Sequence, residues 1–249
     1  MALIHSLEKS GNKLFRFRGQ IPLLLFILSV PAIYFSDYSH YFESENCRLI
    51  LLITSAVISF AGQVIRAIAI GTSNKHTSGR NTKEQVAEAL NTTGIYSTLR
   101  HPLYLGNYFM WIGIVVYVGN IYFFLVVSLL FWLYYERIMF AEERFLERKF
   151  GEDYVNWSLK VPAFIPSCKN YVKNDIPFSM KTILRREYSG VTATIISFVF
   201  VDFLRNSFHN NQLTWTMCQT YIVIGALLIS LILRTLKHNT SILKEEDRS

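Results

Sequence analysis

The chain has 249 residues, of which 51% are hydrophobic and only 17% are charged. Soluble domains carry about 25% charged residues, so this composition argues against an ordinary soluble domain and favours a membrane protein. The formal net charge is +7. Because the basic residues flank apolar stretches, we attribute this charge to anionic lipid headgroups and expect no nucleic-acid partner. The cysteines lie far apart without CxxC spacing, so we expect neither a disulfide framework nor a metal site.

The amino-terminal segment is basic and leads into an apolar stretch. Lys13, Arg16 and Arg18 precede residues 21–36, which are mostly apolar. A secretory signal would have a shorter apolar stretch and a cleavage site of small residues after it. We therefore predict that residues 21–36 form a retained first transmembrane span.

Further apolar stretches follow along the chain. A hydrocarbon core about 30 Å thick needs about 20 helical residues. Residues 103–135 are apolar almost throughout and would form one helix of about 50 Å, which is too long for a single span. Gly119 and Asn120 in its middle predict a tight hairpin. We therefore predict an all-α polytopic membrane protein with about six transmembrane helices, at residues 21–36, 49–71, 103–118, 121–136, 189–205 and 213–233.

The loops between these spans alternate in charge. Residues 37–46 contain acidic residues but no Lys or Arg, whereas the longer segments 72–101 and 137–188 are rich in both. Basic loops face the cytoplasm. We therefore predict that both termini and the functional site lie on the cytoplasmic side of a bacterial inner membrane or the endoplasmic reticulum. We also predict that residues 137–150 continue the helix of the fourth span and that Gly151 ends it.

The first motif reads G-I-Y-S-T-L-R-H-P-L-Y-L-G from Gly94 to Gly106 and lies where a basic loop enters the third span. Pro102 suits the first turn of a helix, whose free N–H groups suit a carboxylate or a ribose hydroxyl. Tyr96 and Tyr104 offer flat faces for an adenine or a sulfonium cation. For this motif in isolation, an interfacial helix start in contact with lipid headgroups is the simpler interpretation.

The second motif is the pair Glu142–Glu143 on the predicted cytoplasmic helix. A carboxylate near the membrane surface suits the amino group or the sulfonium of a cofactor. For an isolated pair of this kind, a solvated helix face is the simpler interpretation.

The order of the motifs is more specific than either motif alone. G-x-Y-x3-R-H-P-x-Y-x-G is followed by an apolar hairpin, by the two glutamates, by F-G-E-D-Y at 150–154 and by K-V-P-A-F-I-P at 160–166. This order resembles the isoprenylcysteine carboxyl methyltransferase family, which is also similar to phospholipid N-methyltransferases. The resemblance covers residues 49–166, and the G-x-x-x-R from Gly62 to Arg66 adds to it.

The resemblance implies S-adenosylmethionine as the methyl donor and implies roles for named residues. Those expected to line its pocket are Leu90, Tyr96, His101, Pro102, Leu103, Tyr104, Glu142 and Glu143. In the family an arginine just before the two glutamates contacts the substrate, and Arg137 lies about one position from that place. We take Arg137 and Arg100 as candidate catalytic residues that orient an anionic acceptor. Arg66, about one turn inside the second span, is a third candidate, and snorkelling to the interface explains it equally well.

Some positions depart from the family pattern. Lys160 replaces an arginine, and Glu88 stands where the family often has a histidine. These departures concern the substrate more than the cofactor. We therefore expect a lipid or lipidated substrate, with a prenylated cysteine carboxylate preferred and a phospholipid amine or a lipid phosphate as alternatives. An amine acceptor would need a base, for which His101 or Glu143 is available. A non-catalytic membrane sensor or assembly protein is the alternative of another class.

The resemblance leaves the carboxyl-terminal part of the chain unexplained. We expect residues 1–249 to form a single membrane domain with a methyltransferase-like core at 49–166 and two extra spans within 189–233. In the first of these spans Asp202 and Arg205 lie three residues apart. We interpret them as a structural pair near the outer end of the helix.

Overall fold

A computed structural model describes residues 2–73 and 85–245. Residues 74–84, which belong to the basic loop predicted at 72–101, lie outside the described residues. The described chain folds into a bundle of α-helices: α1 (Leu3–Phe17), α2 (Ile21–Tyr34), α3 (Ser39–Glu43), α4 (Glu45–Gly71), α5 (Pro102–Val118), α6 (Ile121–Phe150), α7 (Glu152–Ser158), α8 (Met180–Asn210) and α9 (Met217–Asn239).

Four described helices, α4, α6, α8 and α9, are long and apolar enough to cross a membrane. The predicted all-α integral membrane protein is therefore supported. Helices α2 and α5 are also apolar but have only 14 and 17 residues. Both are shorter than the roughly 20 residues of an upright span, so the number six stays a prediction.

The predicted hairpin in the long apolar stretch is confirmed. Gly119 ends α5 in the left-handed conformation, with φ of +76°, which glycine adopts without steric cost. Asn120 caps α6, because its side chain accepts a hydrogen bond from the amide of Phe123 at 2.9 Å. Helix α6 then continues to Phe150 and ends at Gly151, as predicted.

Helix α1 was not predicted, because its basic residues indicate only a charged amino-terminal segment. It packs along the end of α6 in the opposite direction. Tyr134 donates from its hydroxyl to the carbonyl of Leu14 at 2.6 Å, and Arg148 forms an ion pair with Glu8 at 2.6 Å. The missed signal is helical periodicity at residues 7, 11, 14 and 15, all of which are partly or fully buried in this helix.

Helices α4 and α5 approach very closely. A Cβ added at Gly62 would lie 2.5 Å from the carbonyl oxygen of Gly106, and one added at Gly106 would collide with the stem of Arg66. Small residues at a membrane helix interface permit such backbone contact. Gly62 and Gly106 therefore allow the two helices to pack closely, and the stem of Arg66 on α4 lies directly against Gly106 on α5.

Both ends of the described chain lie at one end of the bundle. Glu245 accepts hydrogen bonds from Ser179, just before α8, at 2.7 Å. At the amino terminus, Glu8 contacts Arg148 near the end of α6. The motif residues lie at this same end of the bundle, which we call the motif end.

Candidate active site

A cavity of about 590 Å³ lies among helices α2, α4, α5, α6, α7 and α8 and the segment 85–91. Its volume is typical of small-molecule sites. At the motif end it forms a polar chamber lined by Tyr96, His101, Tyr104, Glu142 and Trp157. Farther along α5 it becomes an apolar arm, lined by Leu25, Phe26, Met110, Ile114, Val118 and Val201. Because α5 runs along both parts, position along α5 indicates depth in the cavity.

The residues just before α5 are hydrogen-bonded to the end of α7 and to the loop that follows it. The amide of Arg100 donates to the carbonyl of Pro162 at 2.8 Å, and the amide of His101 donates to Ala163 at 3.2 Å. The Arg100 guanidinium also donates to the carbonyls of Ser158 and Val161, at 2.7 and 3.1 Å. The K-V-P-A segment and the R-H-P motif, distant in sequence, are therefore joined by backbone geometry.

The two adjacent glutamates have different surroundings. Glu143 accepts a hydrogen bond from Arg100 Nε at 2.9 Å and contacts His101 Nε2 at 2.9 Å. Glu142 lines the cavity, with a carboxylate oxygen 3.6 Å from His101 Nδ1. Glu143 thus orients Arg100 and His101, whereas Glu142 presents negative charge to the chamber.

Aromatic side chains form the walls of the chamber. The ring of Tyr104 stacks on His101, with centroids 5.6 Å apart. Desolvation raises the pKa of the Tyr96 phenol, and the charge of Glu142 acts in the same direction, so this tyrosine is neutral at physiological pH. Trp157 lines the cavity, and its indole nitrogen is buried and has no hydrogen-bond partner within the described chain. A buried donor of this kind suits an acceptor atom of a bound ligand.

The structure brings most of the predicted cofactor residues together. Those that line the cavity are Leu90, Tyr96, His101, Pro102, Leu103, Tyr104 and Glu142. Glu143 does not line the cavity and contacts it through Arg100 and His101.

The two candidate catalytic arginines are placed differently. Arg100 lines the cavity, but its guanidinium is engaged with Glu143 and with two carbonyl groups. Arg137 is exposed outside the cavity and donates to Ser10 at 3.4 Å. It precedes Glu142 by five residues, which places it about 140° around the helix from that carboxylate. Tyr135, seven residues before Glu142, shares its face and lines the cavity.

Several lining residues were not selected from the sequence. They are Phe15 on α1, Arg18 just after that helix, Tyr154 and Trp157 on α7, and Arg186 and Glu187 on α8. Tyr154 belongs to the F-G-E-D-Y segment, so a signal for α7 was present. The residues of α8 lie outside the resemblance, and only the packing of α8 against α2, α4 and α5 brings them to the cavity.

Arg66 lies at the junction between the chamber and the apolar arm. Its Nε and Nη2 donate to the two carboxylate oxygens of Glu187, each at 2.7 Å. Its Nη1 donates to Asn107 at 2.5 Å, and the amide group of Asn107 donates to the Tyr135 hydroxyl at 3.2 Å. Asn107 is three residues beyond Tyr104 on α5, so this group lies about 4.5 Å deeper than the chamber wall.

Comparison with known proteins identifies relatives of this sequence. The sequence profile of the family described as phospholipid methyltransferase matches residues 51–153. The protein-S-isoprenylcysteine O-methyltransferase of Schizosaccharomyces pombe is 34% identical over 110 residues, which is 42% of this chain and 45% of that protein. Its counterpart from Xenopus laevis is 31% identical over 121 residues, 48% of this chain and 42% of that protein. The chain is a relative of the isoprenylcysteine carboxyl methyltransferases. The resemblance found in the sequence is thereby confirmed.

The match of the family profile to this chain covers only part of the fold. It includes most of α4, all of α5 and α6 and the start of α7, whereas α8 and α9 lie beyond it. The alignments span less than half the length of the two relatives above. The nickel-cobalt-cadmium resistance protein NccN of Alcaligenes xylosoxydans xylosoxydans is also similar, with 34% identity over 91 residues, 36% of this chain and 40% of that protein. No solved structure significantly matches the chain.

Proposed function

We propose that the chain is a membrane-embedded, S-adenosylmethionine-dependent methyltransferase that methylates a carboxylate on a lipidated substrate of the prenylated cysteine type. One observation carries the proposal: the polar chamber and the apolar arm form a single cavity within the helix bundle. A lipid chain in the arm would place its polar head beside the chamber. The isoprenylcysteine relatives carry out a reaction of this kind according to their names.

The chamber suits the proposed cofactor, which supplies an electrophilic methyl group when bound. Glu142 would hold its amino group or sulfonium, because a carboxylate in a partly desolvated site attracts a cation strongly. Leu90, Tyr96 and Tyr104 would flank the adenine, and the Trp157 indole would donate to one of its acceptor atoms or to the ribose.

The protein residues would act by orientation and by exclusion of water. Methyl transfer to a carboxylate is an in-line displacement in which a lone pair on the acceptor oxygen forms the new O–C bond as the S–C bond breaks, so no covalent enzyme intermediate is needed. Opposite charges cancel as this reaction proceeds, and a dry site therefore favours it. Arg66 lies where the acceptor head would meet the chamber and offers N–H donors to its oxygens.

A phospholipid amine is the second candidate acceptor, since the matching profile carries the phospholipid methyltransferase description. An amine must lose a proton, and the His101–Glu143 pair, joined at 2.9 Å, offers a base because His101 lines the chamber. The lipid phosphate stays a third acceptor. A non-catalytic membrane sensor or assembly protein stays the alternative of another class, and the NccN relative is named for metal resistance.

The proposal includes a placement in the membrane. Two termini on the cytoplasmic side require an even number of spans, and the proposed six spans meet this requirement. Both ends of the described chain lie at the same end of the bundle, which supports the placement. The packing of α8 against α2, α4 and α5 supports one membrane domain over residues 1–249.

Two measurements test the function. Calorimetry with S-adenosylmethionine and with its demethylated product in detergent should show binding that Glu142→Ala and Tyr104→Ala abolish while the protein still inserts. Transfer of a labelled methyl group should then favour a farnesylated cysteine analogue over extracted phospholipids. Absence of cofactor binding would overturn the proposed methyltransferase activity. Transfer to phospholipid alone would show that the acceptor is an amine and not a carboxylate.

A further inference from the structure

The buried carboxylate of Glu187 is contributed by α8, beyond the profile-matched residues 51–153. Its side chain is 3% exposed and faces the bound guanidinium of Arg66 from α4. Gln63 also donates to it, from Nε2 to Oε2 at 3.1 Å. A carboxylate this deeply buried is costly unless it is paired, and Arg66 supplies the opposite charge.

The contact with Arg66 defines the orientation of the guanidinium. Two parallel N–H···O bonds of 2.7 Å fix the plane of the fork, and Asn107 fixes its third nitrogen. A guanidinium has five N–H donors, and these contacts use three of them. One donor on each terminal nitrogen is left for a group in the cavity, which Arg66 lines.

We propose that Glu187 is a positioning residue for methyl transfer, because it aims the remaining N–H donors of Arg66 at the oxygens of the acceptor head. This proposal rests on the proposed function and deepens it. It assigns α8 a part in acceptor recognition that the profile-matched residues 51–153 do not contain.

The charge of Glu187 has a second consequence. Because Glu187 balances the charge of Arg66, the pair offers hydrogen-bond donors without a strong net positive field. An oxygen acceptor is then oriented without the strong ion pair that would stabilise its ground state and slow its attack. An ammonium head would gain no acceptor atom from Arg66, so Arg66 favours an oxygen acid over an amine as the acceptor.

A double-mutant cycle tests this role. Arg66→Gln, Glu187→Gln and the double variant are compared by kcat/KM for the farnesylated cysteine analogue and by cofactor affinity. A misoriented donor costs about 100-fold in kcat/KM. If Glu187 acts only through Arg66, the double variant loses no more than Arg66→Gln alone. Cofactor affinity stays unchanged in all three, because neither residue belongs to the chamber wall.

The conservative variant and a matched control complete the design. Glu187→Asp keeps the charge and should recover part of the lost rate, whereas Arg185→Gln on the same helix, outside the cavity, should leave the rate unchanged. Should the glutamine variants fail to insert, the cycle is run with Glu187→Asp and Arg66→Lys, which keep both charges and alter only the geometry.

The outcomes separate the two proposals. Transfer by the unaltered protein, together with additive losses in the cycle, overturns the role of Glu187 and leaves the function intact. A parallel fall of cofactor affinity and thermal stability also overturns it, since that pattern describes a purely structural pair. No transfer by the unaltered protein to any acceptor overturns the proposed function and this role with it.

Discussion

Two arginines inside the helix bundle, Arg66 and Arg205, are stabilised in different ways. Arg66 lies on α4 near the motif end and is neutralised by Glu187 across the helix interface. Arg205 lies on α8 near the α5–α6 hairpin, is fully buried, and donates to the carbonyl of Tyr117. The first lines the cavity and the second does not.

Aromatic rings replace the carboxylate at Arg205. Its guanidinium carbon lies 5.0, 4.1 and 4.5 Å from the ring centroids of Tyr38, Tyr41 and Tyr117. Asp202 accepts hydrogen bonds from Tyr117 and Gln219, at 3.3 and 2.8 Å. No ion pair joins Asp202 to Arg205 in the described structure, so the predicted pair is wrong, although the structural interpretation of both residues holds.

The difference shows what a buried charge indicates in this molecule. A cation held by rings and a carbonyl, away from any cavity, connects α8 to α5 and to the chain around α3. A cation paired with a carboxylate and open to a cavity is available to a ligand. The following predictions test whether this division between the two ends of the bundle holds.

The largest effect is expected at the hairpin end. Arg205→Ala removes three cation–π contacts and leaves a cavity, so it should lower the free energy of unfolding by about 3 kcal/mol. Unfolding in detergent, monitored by circular dichroism, measures this change, with Arg205→Lys as the charge-preserving control. Methyl transfer per folded molecule should be unaltered, and a specific loss of transfer would show that this end also serves the reaction.

At the motif end, Glu142→Gln should weaken cofactor binding. A charged hydrogen bond or ion pair in a partly desolvated chamber contributes about 2 kcal/mol, equivalent to about 30-fold in affinity. Calorimetry in detergent measures this change, and Glu136→Gln, an exposed position on the same helix, is the control. Equal affinities of Glu142→Gln and the unaltered protein would exclude the chamber as the cofactor site.

Arg66→Lys tests whether the fork geometry matters beyond the charge. A lysine keeps the positive charge but loses the bidentate contact with Glu187, so kcat/KM for the acceptor should fall about tenfold. Arg137→Lys is the matched control on α6, and its rate should stay the same because Arg137 lies outside the cavity. If Arg137→Lys is the slower of the two variants, the acceptor approaches from the α1 side.

The smallest effect concerns the docking of α1. The hydrogen bond from Arg148 lowers the pKa of Glu8, so the pair stabilises the folded state above the ordinary carboxyl range, and this contribution is lost as the pH falls below about 4. Glu8→Gln should therefore cost about 0.5 kcal/mol near pH 7 and nothing at low pH. Thermal unfolding at both pH values measures it. A cost that is the same at both pH values would indicate lost packing instead of lost charge.

The sequence by itself determined the apolar helices and the position of the motif residues next to them. Apolar length, the Gly119–Asn120 turn and Gly151 set the helix ends, because helix termination is local chemistry. The ordered motifs indicated the methyltransferase relationship and the residues around Tyr104 and Glu142, since residues that continue one helix or flank one turn are necessarily neighbours in space.

Tertiary structure decided which charges meet. The phase of α6 turned Arg137 away from Glu142, and the packing of α8 against α4 placed Glu187 beside Arg66, 121 positions along the chain. The same packing enclosed Arg205 among rings from distant segments and left Asp202 to other partners. Periodicity gives the face of each helix but not which face meets which, because packing depends on contacts among residues far apart in the sequence.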